Sequence, residues 1–152
     1  MGFTASGITT TTVTTDQQAP LGFILTVPDG DNGIQEWIYV YNDSGATAAV
    51  AKVQTRKAGT ANYHIAEAGA INPCQAVGVV VTEIPNGSYG FILRKGICTV
   101  DAAGSVTANK GLILVASGEV THEAAVTGSA MGNSLAGRTG AGTFTAFVDC
   151  RG

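Results

Sequence analysis

The apolar residues of this chain come in short runs of strand length, each closed by a turn signal, and nowhere in the spacing of a helix. Leu21 to Val27 stops at Pro28-Asp29-Gly30, Trp37 to Tyr41 at Asn42-Asp43-Ser44-Gly45, and Val77 to Ile84 at Pro85-Asn86-Gly87. Gly opens positive φ, Pro fixes φ, and Asn or Asp bonds its own neighbouring backbone, so each cluster turns the chain. An amphipathic helix needs an apolar stripe at 3.6-residue spacing over about three turns, and none is present. Further strands are expected at Val50 to Gln54, Asn62 to Ala66, Tyr89 to Arg94, Ile97 to Val100, Gly111 to Ala116, Glu119 to Ala124 and Gly142 to Asp149. Their spacing of about 8–12 residues is that of a sandwich or barrel. Val77 to Ile84, an apolar run broken near its end by Thr82 and Glu83, is expected to be a central strand buried on both faces. Ser129 to Ala136 alone could make a helical turn, which Gly132 weakens. No repeat of fixed period argues for a solenoid or propeller. The expectation is an all-β chain: a compact small β-barrel or sandwich-like domain over residues 20–152.

Residues 1–19 differ. Thr9 to Thr12 form one run, followed by Val13, Thr14 and Thr15. β-Branched Thr favours extended backbone, but so little apolar content supports no core. The segment reads as an extended arm, loose when free and ordered against a partner.

Composition narrows the function. Charged residues are 12 % of the 152 and hydrophobic ones 45 %, against about 25 % charged in ordinary globular chains. Gly, Ala, Thr and Ser stand where charge is missing. A surface so poor in charge is weakly solvated alone, which points to assembly with other proteins. The net charge is −3, and the densest cations are Lys52, Arg56 and Lys57, then Arg94 and Lys95. Neutralising a phosphate backbone takes several convergent cations, so no nucleic-acid partner is expected. No apolar run reaches the roughly 18 residues that span a bilayer. Gly2 and Ser6 fit the loose myristoylation pattern, and one acyl chain anchors weakly; no membrane partner is expected. With no basic and apolar leader, the sequons at Asn42 and Asn86 read as turns. Cys74, Cys98 and Cys150 are odd in number and widely spaced, as fits buried free thiols in a reducing compartment.

Catalytic patterns fail one by one. His122-Glu123-Ala124-Ala125-Val126 begins a zinc-protease motif but puts Val126 where the second His belongs, on a stretch that reads as extended. Cys74 and His64 could pair as nucleophile and base, yet Cys74 lies after Asn72-Pro73 beside an apolar strand, where a small buried thiol is the commoner outcome. Gly137-Arg138-Thr139-Gly140-Ala141-Gly142 lacks the Lys and helix of a phosphate cradle. Asn86-Gly87-Ser88-Tyr89-Gly90 has Asn where a nucleophile elbow needs Gly. The carboxylates are scattered; Asp29, Asp31 and Asp43 sit in polar loops without calcium-loop spacing. No enzyme activity, cofactor or metal is expected.

The second half of the chain resembles the head-decoration, or cement, proteins of tailed bacteriophages. The likeness rests on Val77-Gly78-Val79 and Ile84-Pro85-Asn86-Gly87-Ser88-Tyr89-Gly90-Phe91-Ile92, then Lys95-Gly96-Ile97, Ala102-Ala103-Gly104-Ser105-Val106, Gly111-Leu112, Ala116-Ser117-Gly118, Gly132-Asn133-Ser134-Leu135-Ala136 and the closing Phe144 to Gly152. The resemblance covers roughly residues 35–152 and implies a β-domain on the outer surface of the expanded head. It implies a homotrimer that clamps major capsid protein subunits, assembled in the bacterial host cytoplasm. On this reading the arm, with Phe3, Thr9, Thr11 and Val13, pairs with a neighbour's sheet edge. Trp37, Tyr39 and Tyr41 share one strand face, as core packing or as interface anchors, and Arg151 pairs with an acidic neighbour or faces solvent. Two other readings stand beside it. One is a tail-fibre, tail or adhesin-like β-module, which usually shows repeats; the other is a carbohydrate-binding module, which wants exposed aromatics.

Overall fold

The computed structural model describes residues 7–60, 63–67, 75–124 and 130–151. The chain is all-β, with a short 3₁₀ turn at Gly30–Asn32. Ten strands follow in order: β1 (Ile24–Pro28), β2 (Ile34–Asn42), β3 (Val53–Arg56), β4 (His64–Glu67), β5 (Ala76–Val79), β6 (Ser88–Ala102), β7 (Leu112–Leu114), β8 (Val120–His122), β9 (Gly132–Ser134) and β10 (Gly142–Asp149).

The sheet closes on itself twice, and β6 belongs to both closures. In the first, β2 pairs in parallel with β4, β4 with β3, β3 with β5, β5 with β6, and β6 returns to β2. Ile38, Val40, Ile65, Val77 and Ile92 come from the strands of this ring and form one buried cluster with Ala48, Val80 and Ile84. In the second, β6 pairs with β10 and β10 with β9. A bridge from Asn133 to Gly111 then leads to β7, β7 pairs with β8, and β8 meets β6 in parallel at Ala102–Val120. The larger cluster fills this second ring with Val100, Leu112, Val120, Met131 and Val148. It continues onto the outer face of the first ring through Trp37, Tyr39, Phe91 and Leu93.

One strand can serve both rings because it changes face midway. Trp37 lies opposite Leu93 while Glu36 lies opposite Lys95, so Arg94 is an extra residue on β6. Such a bulge turns the following side chains over: Phe91 and Leu93 face the larger cluster before it, Cys98, Val100 and Ala102 after it. Gly96, at φ +136°, supplies the backbone conformation this needs.

Three expectations are corrected. The run Val77 to Ile84 is not one central strand: β5 stops at Val79, and Ile84 instead bridges Ala48. Val77, Val79, Val80 and Ile84 are buried, but Val81 is 40 % exposed and Glu83 is exposed, so the segment leaves the sheet after Val79. Tyr89 to Arg94 and Ile97 to Val100 are not two strands but parts of β6, joined by the bulge. The helical turn expected at Ser129 to Ala136 is absent from the described part, where Gly132–Ser134 form β9. A Cβ on Gly132 would overlap the carbonyl oxygen of Phe147, so the glycine serves strand contact and not a turn. The expected strand start at Asn62 falls outside the described residues.

The two rings are tied by residues 51–53. Ala51 O accepts a hydrogen bond from Asp101 N (2.9 Å), and Val53 N donates to Gly118 O (2.8 Å). Between them Lys52 Nζ lies 2.8 Å from Asp101 Oδ2 and 2.9 Å from Glu119 Oε1. Desolvation alone would lower the Lys52 pKa, but hydrogen bonds from the ammonium to the two carboxylates outweigh it and raise the pKa above 10.5. A raised folded-state pKa gives stability that is complete below the unfolded value and lost as pH rises through the folded one. Thermal melts are therefore expected to fall above about pH 10.5 more steeply for this chain than for Lys52→Met; parallel curves would mean that the clamp contributes nothing.

Candidate functional site

The residues singled out in the sequence divide between the packed interior and the surface. Trp37, Tyr39 and Tyr41 do share a face of β2, as strand alternation dictates, but that face is covered by the larger cluster. Trp37 is 6 % exposed and Tyr39 1 %, so both are packing residues. Trp37 Nε1 donates to Gln35 Oε1 (3.0 Å), and the Tyr39 hydroxyl accepts from Gln18 N (3.0 Å). Tyr41 is half-buried; its ring is 4.5 Å from that of Tyr89 and 5.0 Å from His64.

The described part of the N-terminal segment runs back along its own domain. Thr14 and Tyr89 exchange backbone hydrogen bonds, Thr14 N to Tyr89 O at 3.1 Å and Tyr89 N to Thr14 O at 2.7 Å. Val13 is half-buried against the smaller cluster, and Ala19 lies in the larger one. Thr9 and Thr11 are exposed, in a turn closed by Thr12 N donating to Thr9 O (3.0 Å). This arrangement differs from an arm standing free of the domain: the ladder bonds of Thr14 are made within the chain. Phe3 lies outside the described residues. Arg151 is exposed and far in sequence from the rest of the set.

Beside Tyr41 is a small polar cluster. Asp43 Oδ2 lies 3.1 Å from His64 Nδ1 and 3.3 Å from Lys57 Nζ. Desolvation would raise the Asp43 pKa, yet hydrogen bonds from His64 and Lys57 hold it below the ordinary value. Partly exposed ion pairs of this kind contribute little to stability. Among the described residues no group of three or more His, Cys, Asp or Glu side chains is placed to hold a metal. No helix among them is long and apolar enough to cross a membrane.

Cys98 and Cys150 are free thiols. Burial pushes Cys98 up to about 12, and burial of Cys150 also raises it strongly. The thiolate is the reactive form, so neither should react with iodoacetamide at pH 8 in the folded protein, and both should once it is denatured. Peptide mass mapping checks this; rapid labelling of either in the native state would contradict the packing.

The edge of β1, which sequence reasoning missed, carries no further strand among the described residues. β1 pairs with β2 alone and ends the sheet path. Ile24, Thr26 and Pro28 are exposed along it, and Ile34, opposite Pro28, is 62 % exposed, with Ile24 at 43 %. Around the other side of the hairpin an apolar cavity of about 300 Å³ is lined by Trp37, Val50, Val81, Leu93 and Ile97 among others.

No protein-family model matches the chain, and no curated protein matches it. Among solved structures the fold is similar to the N base of the head fibre gp8.5 of bacteriophage phi29. The TM-score is 0.57 at 10 % identity, covering 74 % of this chain and 92 % of that one. At that identity the likeness is one of fold.

Proposed function

We propose that this chain is a structural protein of a bacteriophage head, bound to the outside of the expanded capsid and stabilising it by clamping major capsid subunits. The observation that carries the reading is the likeness of its fold to a head-fibre base over most of both chains. A sequence with 12 % charged residues, suited to burial against other proteins, supports it. The role asks for no catalytic group. A clamp that buries apolar area across a subunit seam gains about 25 cal/mol per Å², less the cost of association, and repetition over a shell multiplies the effect. The trimer expected from the resemblance belongs to the same proposal, since a cyclic assembly matches a local three-fold position in a shell.

The similar structure is the base of a fibre, and this favours a second reading in which the domain is the foot of a projection from the head. Both readings need attachment to the shell. Purified protein added to expanded heads that lack it should bind saturably, at a fixed ratio to the major capsid subunit, and sediment with them. Heads that gain heat resistance on binding support the clamp, and heads that bind without gaining it support the foot. Protein that stays in the supernatant at every concentration sinks both.

A further inference from the structure

We infer that the free edge of β1 is the docking site for an extended strand of the shell subunit, which adds to the β1–β2 hairpin by main-chain pairing; the inference rests on the head-attachment reading. The backbone polarity of β1 is fixed at both of its ends. Tyr39 N donates to Phe23 O (2.9 Å), and Asp29 N donates to Gly33 O (2.8 Å). Both bonds fall in the register that pairs Leu25 with Trp37 and Val27 with Gln35. In an antiparallel ladder the residues between bonded positions turn their N–H and C=O groups to the opposite edge. Ile24 and Thr26 therefore direct theirs away from β2, where no strand lies among the described residues.

Exposed edges are normally blunted by charge, by an interior proline or by a bulge. β1 reads Ile-Leu-Thr-Val-Pro with a continuous register, no charge, and its proline only at the end. Beside the edge the outward face carries Ile24 and Ile34, which would lie against apolar side chains of an added strand. Pairing supplies attachment and alternate side chains supply selection, as in strand-addition complexes.

Charge identifies the partner further. Just beyond Pro28 lie Asp29 and Asp31, neither in an ion pair among the described residues. Among the described residues Asp29 Oδ2 accepts hydrogen bonds from neutral amides, Gln35 Nε2 at 3.0 Å and Asn32 Nδ2 at 3.3 Å. The fitting occupant is a strand with apolar residues on one face, its one charge a Lys or Arg at the end that passes this tip. The Thr-rich segment of the same chain is a poorer occupant, because Thr14 is already paired with Tyr89.

Thr26→Pro tests the inference cleanly. It removes an outward-facing N–H and leaves the bonds of Leu25 and Val27 to β2 in place. Its melting temperature should stay within a few degrees of the parent, while its affinity for expanded heads should fall about tenfold or more. Ile24→Lys, which puts charge on the edge without touching the backbone, should act likewise and serves if the proline variant fails to fold. On bound heads, hydrogen exchange should slow at the Ile24 and Thr26 amides. If the parent binds and folded variants bind equally well, or those amides exchange as in the free protein, the inference is overturned and the head reading stands. If the parent does not bind heads at all, the reading itself fails and the inference with it.

Discussion

Replacing Phe91 by Ala should cost about 3–5 kcal/mol, the range for deleting a fully buried aromatic ring. Phe91 is 1 % exposed on the shared strand β6, and its ring lies 5.0 Å from that of Tyr39 and 6.5 Å from that of Phe23. The hole would open where the outer face of the first ring meets the filling of the second. Two of the β6 neighbours, β2 and β10, pack through the same cluster, so collapse around it is restricted. At about 2–4 °C per kcal/mol for a chain of this size, the melting temperature should drop by roughly 6–20 °C. A fall of under 3 °C in a calorimetric scan would mean that the site refills and that the two rings do not share one packed interior.

The second large effect is expected at Gly132. Its φ is +154°, a backbone conformation that L side chains rarely adopt, and an added Cβ would meet the Phe147 carbonyl oxygen and come within 2.8 Å of Val148 Cα. Both obstacles are backbone of β10, held in its ladder with β6. Gly132→Ala must therefore displace β9 from β10 or distort β10 itself, and about 2–4 kcal/mol is expected from strain and overpacking together. The contrast is Gly104→Ala: nothing lies within 4 Å of a Cβ there. Urea titrations of the two variants should separate widely, and equal midpoints would refute the close approach of β9 to β10.

The strands that sequence reasoning located are those closed by local signals. Trp37 to Tyr41 and Gly142 to Asp149 stand out because β-branched and aromatic residues run up to Asn, Asp or Gly, and these lie within β2 and β10. What escaped is non-local. The two ring closures depend on parallel contacts, β2 with β4 and β6 with β8, and a parallel contact leaves no hairpin turn in the sequence. Arg94 looks like an ordinary charged residue ending a strand. Only its place opposite the Glu36–Trp37 step makes it a bulge, so local patterns divide β6 into two pieces.

The candidate surface was legible to the same degree. Alternation correctly put Trp37, Tyr39 and Tyr41 on one face, but whether that face meets solvent or a second layer depends on β6 and on strands up to about a hundred residues away. The edge of β1 gives no signal at all: Ile24 to Pro28 reads like any half-buried strand, and an edge exists only once strand order is known. The cysteines went the other way. Free thiols are expected from their odd number and spacing; Cys150 is buried and Cys98 partly buried, while Cys74 lies outside the described residues.

The central claim is that this β-domain attaches to the outside of a phage head across capsid subunits. Cryo-electron microscopy of expanded heads saturated with the protein tests it most directly. The account predicts density of one such domain on the outer surface, touching at least two neighbouring major capsid subunits, with the β1 edge turned toward the shell. Density confined to the interior, seated on a single subunit, or absent from heads that carry every other component would contradict it.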